Sequence, residues 1–304
     1  MKQFFKNIIP FNNRTEMPPI LFVIKVVLSF FLCKFAGELI AEVFVILIHF
    51  AVGKNPLKGE MFDPQTITLI TYYGYIIVIG VTLLYWKLIW KMPLSEIGIT
   101  KKIDSYFVGV AAGAGLVVVS VLAVTLTGTI RFNGIFGNID VITILLMFGG
   151  FAFQGAVEEF LCRGLALQLL KDNVSIPIAF GVSTALFVLP HISVLSEAGT
   201  AFIILGILNT ALISVIFSLL TLHFKSIWAA CGLHTVWNFV LYNILGLNLS
   251  GKDTKTAAVF DMQSVGKNII NGGTYGIEVS IITAVVLAAV AVLIWLAGRK
   301  NVKE

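Results

Sequence analysis

Long apolar runs, separated by short polar stretches, dominate the pattern along the chain. Each run has about 20 residues or more, the length at which a helix crosses the hydrocarbon core of a bilayer. Turn sequences such as Asn55-Pro56, Asp63-Pro64 and Asn133-Gly134 lie between the runs. The pattern predicts about eight membrane-spanning helices, at residues 19–51, 67–90, 105–127, 141–170, 175–194, 201–222, 226–247 and 278–297.

Composition excludes a water-soluble globular fold. Only 12% of the 304 residues are charged and 58% are hydrophobic, whereas a soluble domain is about 25% charged. We expect an all-α, polytopic transmembrane helical bundle that forms one domain over residues 19–298. Cytoplasmic segments are predicted at residues 1–18 and 299–304, and a polar extracytoplasmic loop at about 249–277.

The net charge of +5 is explained by the loops. Lys and Arg accumulate on the cytoplasmic side of membrane proteins, and here they are more frequent on the side of the N-terminus. This bias predicts a multi-pass protein of the cell membrane with both termini in the cytoplasm, and nothing supports nucleic-acid binding. The predicted cytoplasmic set is Lys2, Lys6, Arg14, Lys87, Lys91, Lys101, Lys102, Lys171, Lys225, Arg299, Lys300 and Lys303, and the predicted outer set is Lys54, Lys58, Arg131, Lys252, Lys255 and Lys267.

Several polar residues interrupt the apolar runs. An ionisable side chain at the centre of a spanning helix costs roughly 2.5–3.5 kcal/mol on insertion scales, so such residues are candidates for function. They are Glu158, Glu159 and Arg163 in the fourth predicted span, His191 at the end of the fifth, and His234 and Asn238 in the seventh.

The spacing of these residues separates two groups. Glu159 and Arg163 are four residues apart, so they share a helix face and can pair. His234 and Asn238 have the same spacing and project together. Glu158 lies about 100° around the helix from Glu159. One carboxylate can therefore pair with Arg163 while the other faces a cavity.

The depths of these residues in the bilayer overlap. At 1.5 Å per residue, Glu158 and Asn238 lie about 20 Å from the cytoplasmic edge, His234 about 14 Å and His191 about 24 Å. Helices of opposite direction thus bring their polar groups near the midplane. A carboxylate there suits base catalysis, and an imidazole with an amide donor suits a developing oxyanion.

The three motifs together resemble a known family. Glu-Glu-x-x-x-Arg at 158–163, Phe-x-x-x-His at 187–191 and His-x-x-x-Asn at 234–238 occur in this order on separate spans. This arrangement resembles the CPBP family, the CAAX protease and bacteriocin-processing (Abi) membrane endopeptidases, which includes the Ras-converting CAAX endopeptidase. The segment 92–99 also resembles a family feature, and the resemblance covers about residues 141–247.

The resemblance implies an intramembrane glutamic endopeptidase. It would hydrolyse peptide bonds of membrane-associated peptides or proteins with an activated water, in CAAX-type processing or in the processing of bacteriocins and other peptides. We expect a site without a metal, and the sequence implies no soluble cofactor because it has no phosphate-binding glycine loop or nucleotide motif. Carried over by position, the implied roles are general base for Glu158, water orientation for His191, oxyanion stabilisation for His234 and Asn238, and support of the site's shape for Glu159 and Arg163.

Other interpretations of the same residues stay open. Glu158, His191 and His234 could bind zinc with water as fourth ligand, although the His-Glu-x-x-His helix is absent. Cys162 and Cys231 lie beside the motifs and could supply a nucleophile, although buried Cys usually acts as a small apolar residue. From other classes, a polytopic transporter also places ionisable residues at the midplane, and a catalytically silent immunity or scaffold protein could keep the motifs.

The first predicted span carries a second polar group. Lys34, Glu38 and Glu42 follow each other at steps of four residues, so they form one stripe that we expect to face the bundle interior. Pairing of Lys34 with Glu38 is the structural interpretation of this stripe. Hydration of a polar cavity is the functional one.

Overall fold

The computed structural model describes residues 8–195, 199–251 and 257–300. The predicted terminal segments are therefore described only in part. The predictions for Lys2, Lys6, Lys252, Lys255 and Lys303, and those for the side chains of Arg299 and Lys300, lie outside the described residues.

Eight main helices in the described part of the chain confirm the predicted transmembrane helical bundle. Three of them continue beyond their α-helical part: α2 as a π-helix at Trp86–Trp90, α4 as a π-helix at Phe160–Leu167 and an α-helix at Gln168–Lys171, and α7 as a π-helix at Val240–Ile244. Short 3₁₀ segments lie at Pro56–Lys58 and Ile277–Val279. The helices are α1 (Pro19–Ala51), α2 (Pro64–Tyr85), α3 (Asp104–Thr125), α4 (Val141–Glu159), α5 (Ile176–Leu195), α6 (Thr200–Phe224), α7 (Trp228–Phe239) and α8 (Ile281–Lys300).

Helix α7 differs from the other seven. Within the described residues, seven helices are long and apolar enough to cross a membrane. Helix α7 has 12 α-helical residues followed by five π-helical ones, a length of about 25 Å. Every residue from Ala229 to Asn238 is buried. An all-round buried helix belongs at the centre of a bundle, and α3, α4 and α6 surround this one.

Glycines allow α3 and α7 to touch backbone to backbone. A Cβ at Gly109 would lie 2.0 Å from the carbonyl oxygen of Ala229, and a Cβ at Gly232 would lie 2.1 Å from that of Tyr106. Neither distance leaves room for a methyl group. Close contact through small residues is a common means of packing helices in lipid, and here it holds α7 in place against α3.

Aspartate caps fix where α2 and α4 begin. Asp63 accepts hydrogen bonds from the side chain and the backbone N–H of Thr66, and Asp140 does the same from Thr143. These bonds satisfy free N–H groups of the first turn, and they hold the pKa of both aspartates below its usual value. The cap places the start of α2 at Pro64, slightly before the predicted residue 67.

A small sheet covers the end of the bundle at which α3 and α7 finish. Strand β1 (Ile130–Ile135) pairs antiparallel with β2 (Phe260–Ser264). The register shifts around Asn133 and Gly134, where Gly134 has φ of 128°. The prediction of a turn at Asn133-Gly134 is therefore wrong, because these residues form an irregularity within a strand.

The segment before α8 is tied to the loop after α7. The carboxylate of Glu278, in the 3₁₀ segment, accepts the backbone N–H of Ser250 at 2.7 Å, and its backbone carbonyl accepts the amide of Asn209 on α6 at 2.8 Å. Burial raises the pKa of Glu278, and the hydrogen bond from Ser250 works against that effect. The predicted polar loop is thus anchored to the bundle.

Candidate active site

The pair Glu159–Arg163 lies in the centre of the protein. Both side chains are 0% exposed, and Arg163 Nη1 donates to Glu159 Oε1 at 2.9 Å, as their spacing predicts. Nη2 donates to the carbonyl oxygen and Oγ of Ser214 on α6 at 3.0 and 2.6 Å. The guanidinium lies 4.5 Å from the ring centre of Phe187 and 5.0 Å from that of Phe217. Glu159, α6 and two aromatic rings therefore contact the guanidinium, while its Nε has no hydrogen-bond partner among the described residues.

His234 lies between the two adjacent carboxylates of α4. Its Nδ1 is 3.1 Å from Glu159 Oε1, and its Nε2 is 3.9 Å from Glu158 Oε2. Because an ionised carboxylate only accepts, Nδ1 carries a hydrogen and Nε2 faces Glu158. A Cβ at Gly155 would lie 3.2 Å from the Cβ of His234. The missing side chain at Gly155 thus allows the imidazole to reach both carboxylates.

Gln154 belongs to this group, although it lies outside the three sequence motifs. It donates from Nε2 to Glu158 Oε1, and its Oε1 accepts the amide N–H of Asn238 at 2.7 Å. Asn238 is therefore joined to Glu158 through Gln154. The signal in the sequence was available, since an amide four residues before Glu158 lies on the same helix face.

A cavity of about 80 Å³ lies beside Glu158, and His191 lines it too. This space is large enough to hold water. Glu158 Oε2 is buried and has no hydrogen-bond partner among the described residues. His191 Nδ1 lies 2.8 Å from the carbonyl oxygen of Phe187. Since a carbonyl only accepts, Nδ1 carries the hydrogen, and Nε2 of the neutral ring is an acceptor.

Helix α1 contributes the other wall of the cavity. Lys34 and Glu38 line it and form an ion pair with each other, which confirms the predicted pairing. Glu42, one turn further along α1, is exposed and has no hydrogen bond or ion pair with any described residue. Two members of the predicted stripe thus face the cavity of Glu158, and the third lies beyond it.

The structure brings the predicted residues together in two layers. Glu158 and His191 face the cavity, and His234 and Asn238 lie behind Glu158, one in contact with it and the other linked through Gln154. Among the described residues, no three His, Cys, Asp or Glu side chains are grouped so that they could hold a metal ion. The alternative zinc set of Glu158, His191 and His234 therefore does not fit this arrangement. Cys162 and Cys231, the alternative nucleophiles, are both buried free thiols.

The comparison with protein families agrees with the motifs. Residues 140–240 match the family described as type II CAAX prenyl endopeptidase Rce1-like. The matched region runs from the start of α4 to the end of α7 and contains all three motifs. It confirms the predicted resemblance to the CPBP and CAAX proteases, and it supports a CAAX-type intramembrane protease in a multi-pass integral membrane protein. No curated protein matches the chain.

Proposed function

Starting from the Rce1-like match of residues 140–240, we propose that the protein is an intramembrane endopeptidase in which Glu158 activates water. Its substrates are peptides or proteins in or at the membrane. One observation carries the mechanism: Glu158 Oε2 is buried, has no hydrogen-bond partner among the described residues, and belongs to a side chain that lines a cavity with His191. A carboxylate side chain that lines a space for water beside an imidazole is the arrangement that general base catalysis needs.

In the first step, a water in the cavity lies between the Glu158 carboxylate and His191 Nε2. His191 accepts one hydrogen bond and thereby orients the water. Glu158 takes the other proton while the water oxygen attacks the carbonyl carbon of the scissile peptide bond. A C–O bond forms, and the carbonyl oxygen becomes an oxyanion.

The oxyanion is stabilised by donors on α7. His234 donates to the oxyanion from Nε2, while its Nδ1 stays against Glu159 Oε1. The amide of Asn238 has two N–H groups, of which one donates to Gln154 and leaves the second for the oxyanion. Collapse of the intermediate breaks the C–N bond. Glu158 returns its proton to the leaving amine, which yields a carboxylic acid and an amine, and transfer of the acid proton to the amine gives the two charged termini.

The Glu159–Arg163 pair has a positioning role in this proposal. Arg163 is engaged by Glu159 and Ser214, so it does not form an ion pair with Glu158. Glu158 therefore keeps its lone pairs for water. Glu159 in turn fixes the ring of His234 through Nδ1.

Peptide analysis of membranes tests the proposal. Cells that carry the wild-type protein, Glu158→Gln or the control Glu16→Gln are compared for new peptide termini in membrane proteins and secreted peptides. Glu16 is exposed and distant in sequence from every site residue. We expect the same set of cleaved termini for wild type and Glu16→Gln, and loss of that set for Glu158→Gln. Identical termini in all three would contradict proteolysis and favour a transporter or a silent scaffold.

Two further experiments identify the substrate class and test whether the mechanism requires a metal. Purified full-length protein in liposomes is offered matched CAAX peptides with and without a prenyl group, because the family's description names prenyl endopeptidases. Cleavage of the prenylated peptide alone would favour CAAX processing, and cleavage of both would favour broader peptide processing. Activity that survives exhaustive chelation supports the metal-free mechanism, whereas loss that zinc restores supports the metal alternative.

A further inference from the structure

A crevice between α1 and α2 continues outward from the cavity of Glu158. A space of about 220 Å³ adjoins the cavity, and a groove of about 480 Å³ adjoins that space. The three volumes follow one another along α1 and α2 and share wall residues, and together they are called here the α1–α2 crevice. The first junction shares Glu38, Tyr75 and Val78, and the second shares Ala41, Val45 and Gly74.

The chemistry of the walls changes along the α1–α2 crevice. Its inner end has the ion pair Lys34–Glu38, its middle has Glu42, and its outer groove is almost wholly apolar, with side chains such as Phe44 and Ile77. An ionisable side chain without a partner is costly in a membrane-spanning helix and marks a functional site by default. Glu42 is such a side chain among the described residues.

The charges favour a cation. Glu38, Glu42 and Glu158 line the cavity and the crevice, and Lys34 is the single Lys or Arg on the described walls. Lys34 is already paired with Glu38, and His234 lies 3.9 Å from Glu158, so Glu42 is the carboxylate left without a partner among the described residues. A concave surface with excess negative charge attracts positively charged ligands. Glu158 is reserved for the water in the proposed mechanism, which leaves Glu42 for a cationic group.

On the basis of the proposed protease function, we propose that the α1–α2 crevice is a substrate subsite that recognises a basic residue. It holds the extended peptide on one side of the scissile bond, with a Lys or Arg side chain of the substrate paired to Glu42. Apolar side chains further along the substrate lie in the outer groove. Glu42 is one to two helical turns from Glu38 and Lys34, about 6–12 Å, and an extended peptide covers this in about two to four residues.

Close packing of α1 on α2 narrows the crevice at its first junction, and a glycine at the second junction offers a steric test. A Cβ at Gly37 would lie 2.7 Å from the Cα of Val78, so α1 and α2 touch there. A Cβ at Gly74 would have only Ala41 nearby, at 3.8 Å. Gly74 lies at the junction of the middle space and the outer groove. A larger side chain at this position would narrow the path without a clash.

The charge test uses pairs of synthetic peptides that differ only by Lys or norleucine, placed at each position in turn on one side of the scissile bond. Full-length wild-type protein in liposomes is compared with Glu42→Gln, Glu42→Lys and the control Glu16→Gln. A charged hydrogen-bonded contact of this kind corresponds to about a tenfold or larger preference in kcat/KM for the Lys peptide. We expect Glu42→Gln to abolish this preference, and Glu42→Lys to favour a peptide with Glu at that position. An unchanged preference for Lys in Glu42→Lys would overturn the inference.

The steric test uses Gly74→Leu, with Gly80→Leu on the same helix as its control. A Cβ at Gly80 has no heavy atom within 4 Å. We expect Gly74→Leu to lower cleavage about tenfold for peptides with bulky apolar residues beyond the basic position, and Gly80→Leu to leave it unchanged. Equal cleavage by both variants would contradict the proposal that the substrate lies in the α1–α2 crevice.

Different results would contradict the proposed subsite and the proposed function. If Glu158→Gln abolishes cleavage but no variant in the α1–α2 crevice changes it, the subsite is wrong and the proposed function is still supported. If Glu158→Gln abolishes no cleavage of any peptide, the proposed function is wrong, and the subsite that depends on it is wrong too.

Discussion

Replacing Arg163 tests whether the buried ion pair holds the site together. Arg163→Met keeps an unbranched side chain but removes the guanidinium, which leaves Glu159 as a fully buried carboxylate with His234 as its remaining partner. Removal of one member of a buried pair costs about 3–5 kcal/mol, because the other charge stays uncompensated. Loss of the contacts with Phe187 and Phe217 adds to this cost. We therefore expect a loss of at least about 3 kcal/mol in the free energy of unfolding.

A double-mutant cycle separates the loss of stability caused by the uncompensated charge of Glu159 from the loss caused by missing packing contacts. Glu159→Gln is neutral and its amide oxygen can still accept the N–H of His234. The variant with both Arg163→Met and Glu159→Gln should then be more stable than Arg163→Met alone. The free energy of unfolding is measured by denaturant titration in detergent. Lys101→Met serves as the control because Lys101 is exposed, and surface changes of this kind stay within about 0.5 kcal/mol.

Two results would refute this reasoning. If Arg163→Met unfolds at the same denaturant concentration as Lys101→Met, the pair does not stabilise the fold. If the double variant loses the sum of the two single losses, the two side chains are not coupled.

Three further predictions concern the site, the helix packing and the response to pH. Gln154→Leu removes the link between Asn238 and Glu158, and we expect kcat to fall about tenfold to a hundredfold with little change in KM; an unchanged kcat in a peptide-cleavage assay would count against the link. Gly232→Ala places a methyl group against a backbone oxygen of α3 and should cost about 1–3 kcal/mol, whereas Gly115→Ala, with open space around its Cβ, should not lower the temperature of unfolding. Burial raises the pKa of Glu278, so its contribution to stability is complete below the unfolded-state pKa and is lost as pH rises through the folded-state pKa. Thermal unfolding at pH 4 to 8 should therefore show a smaller fall in stability with rising pH for Glu278→Gln than for wild type. An equal change of unfolding temperature with pH in both proteins would contradict this role of the Glu278 carboxyl.

The helices could be predicted from the sequence because each one carries its own signal. A run of apolar residues indicates a span without reference to any other part of the chain, and Asp63 and Asp140 mark helix starts locally. The sheet could not be predicted in this way. Strands β1 and β2 are short and more than a hundred residues apart, and local pattern does not show which distant segment pairs with Asn133 and Gly134.

The same distinction applies to the candidate site. Glu159 and Arg163 are paired as their spacing on one helix indicates. Gln154 could not be predicted as readily, because a neutral amide in an apolar run is a weaker signal of function than a charged side chain. Lys34 and Glu38 face the cavity of Glu158 because of the way α1 packs against the bundle. The spacing of residues along the sequence does not show how two distant helices pack.

The shortness and complete burial of α7 have a consequence for how the protein is made. A segment of this length that carries His234 and Asn238 is a poor candidate for insertion into a bilayer by itself. The glycine contacts with α3 supply close packing that lipid tails do not offer. Biogenesis must then follow an order in which α3 already occupies the membrane when α7 leaves the translocation machinery.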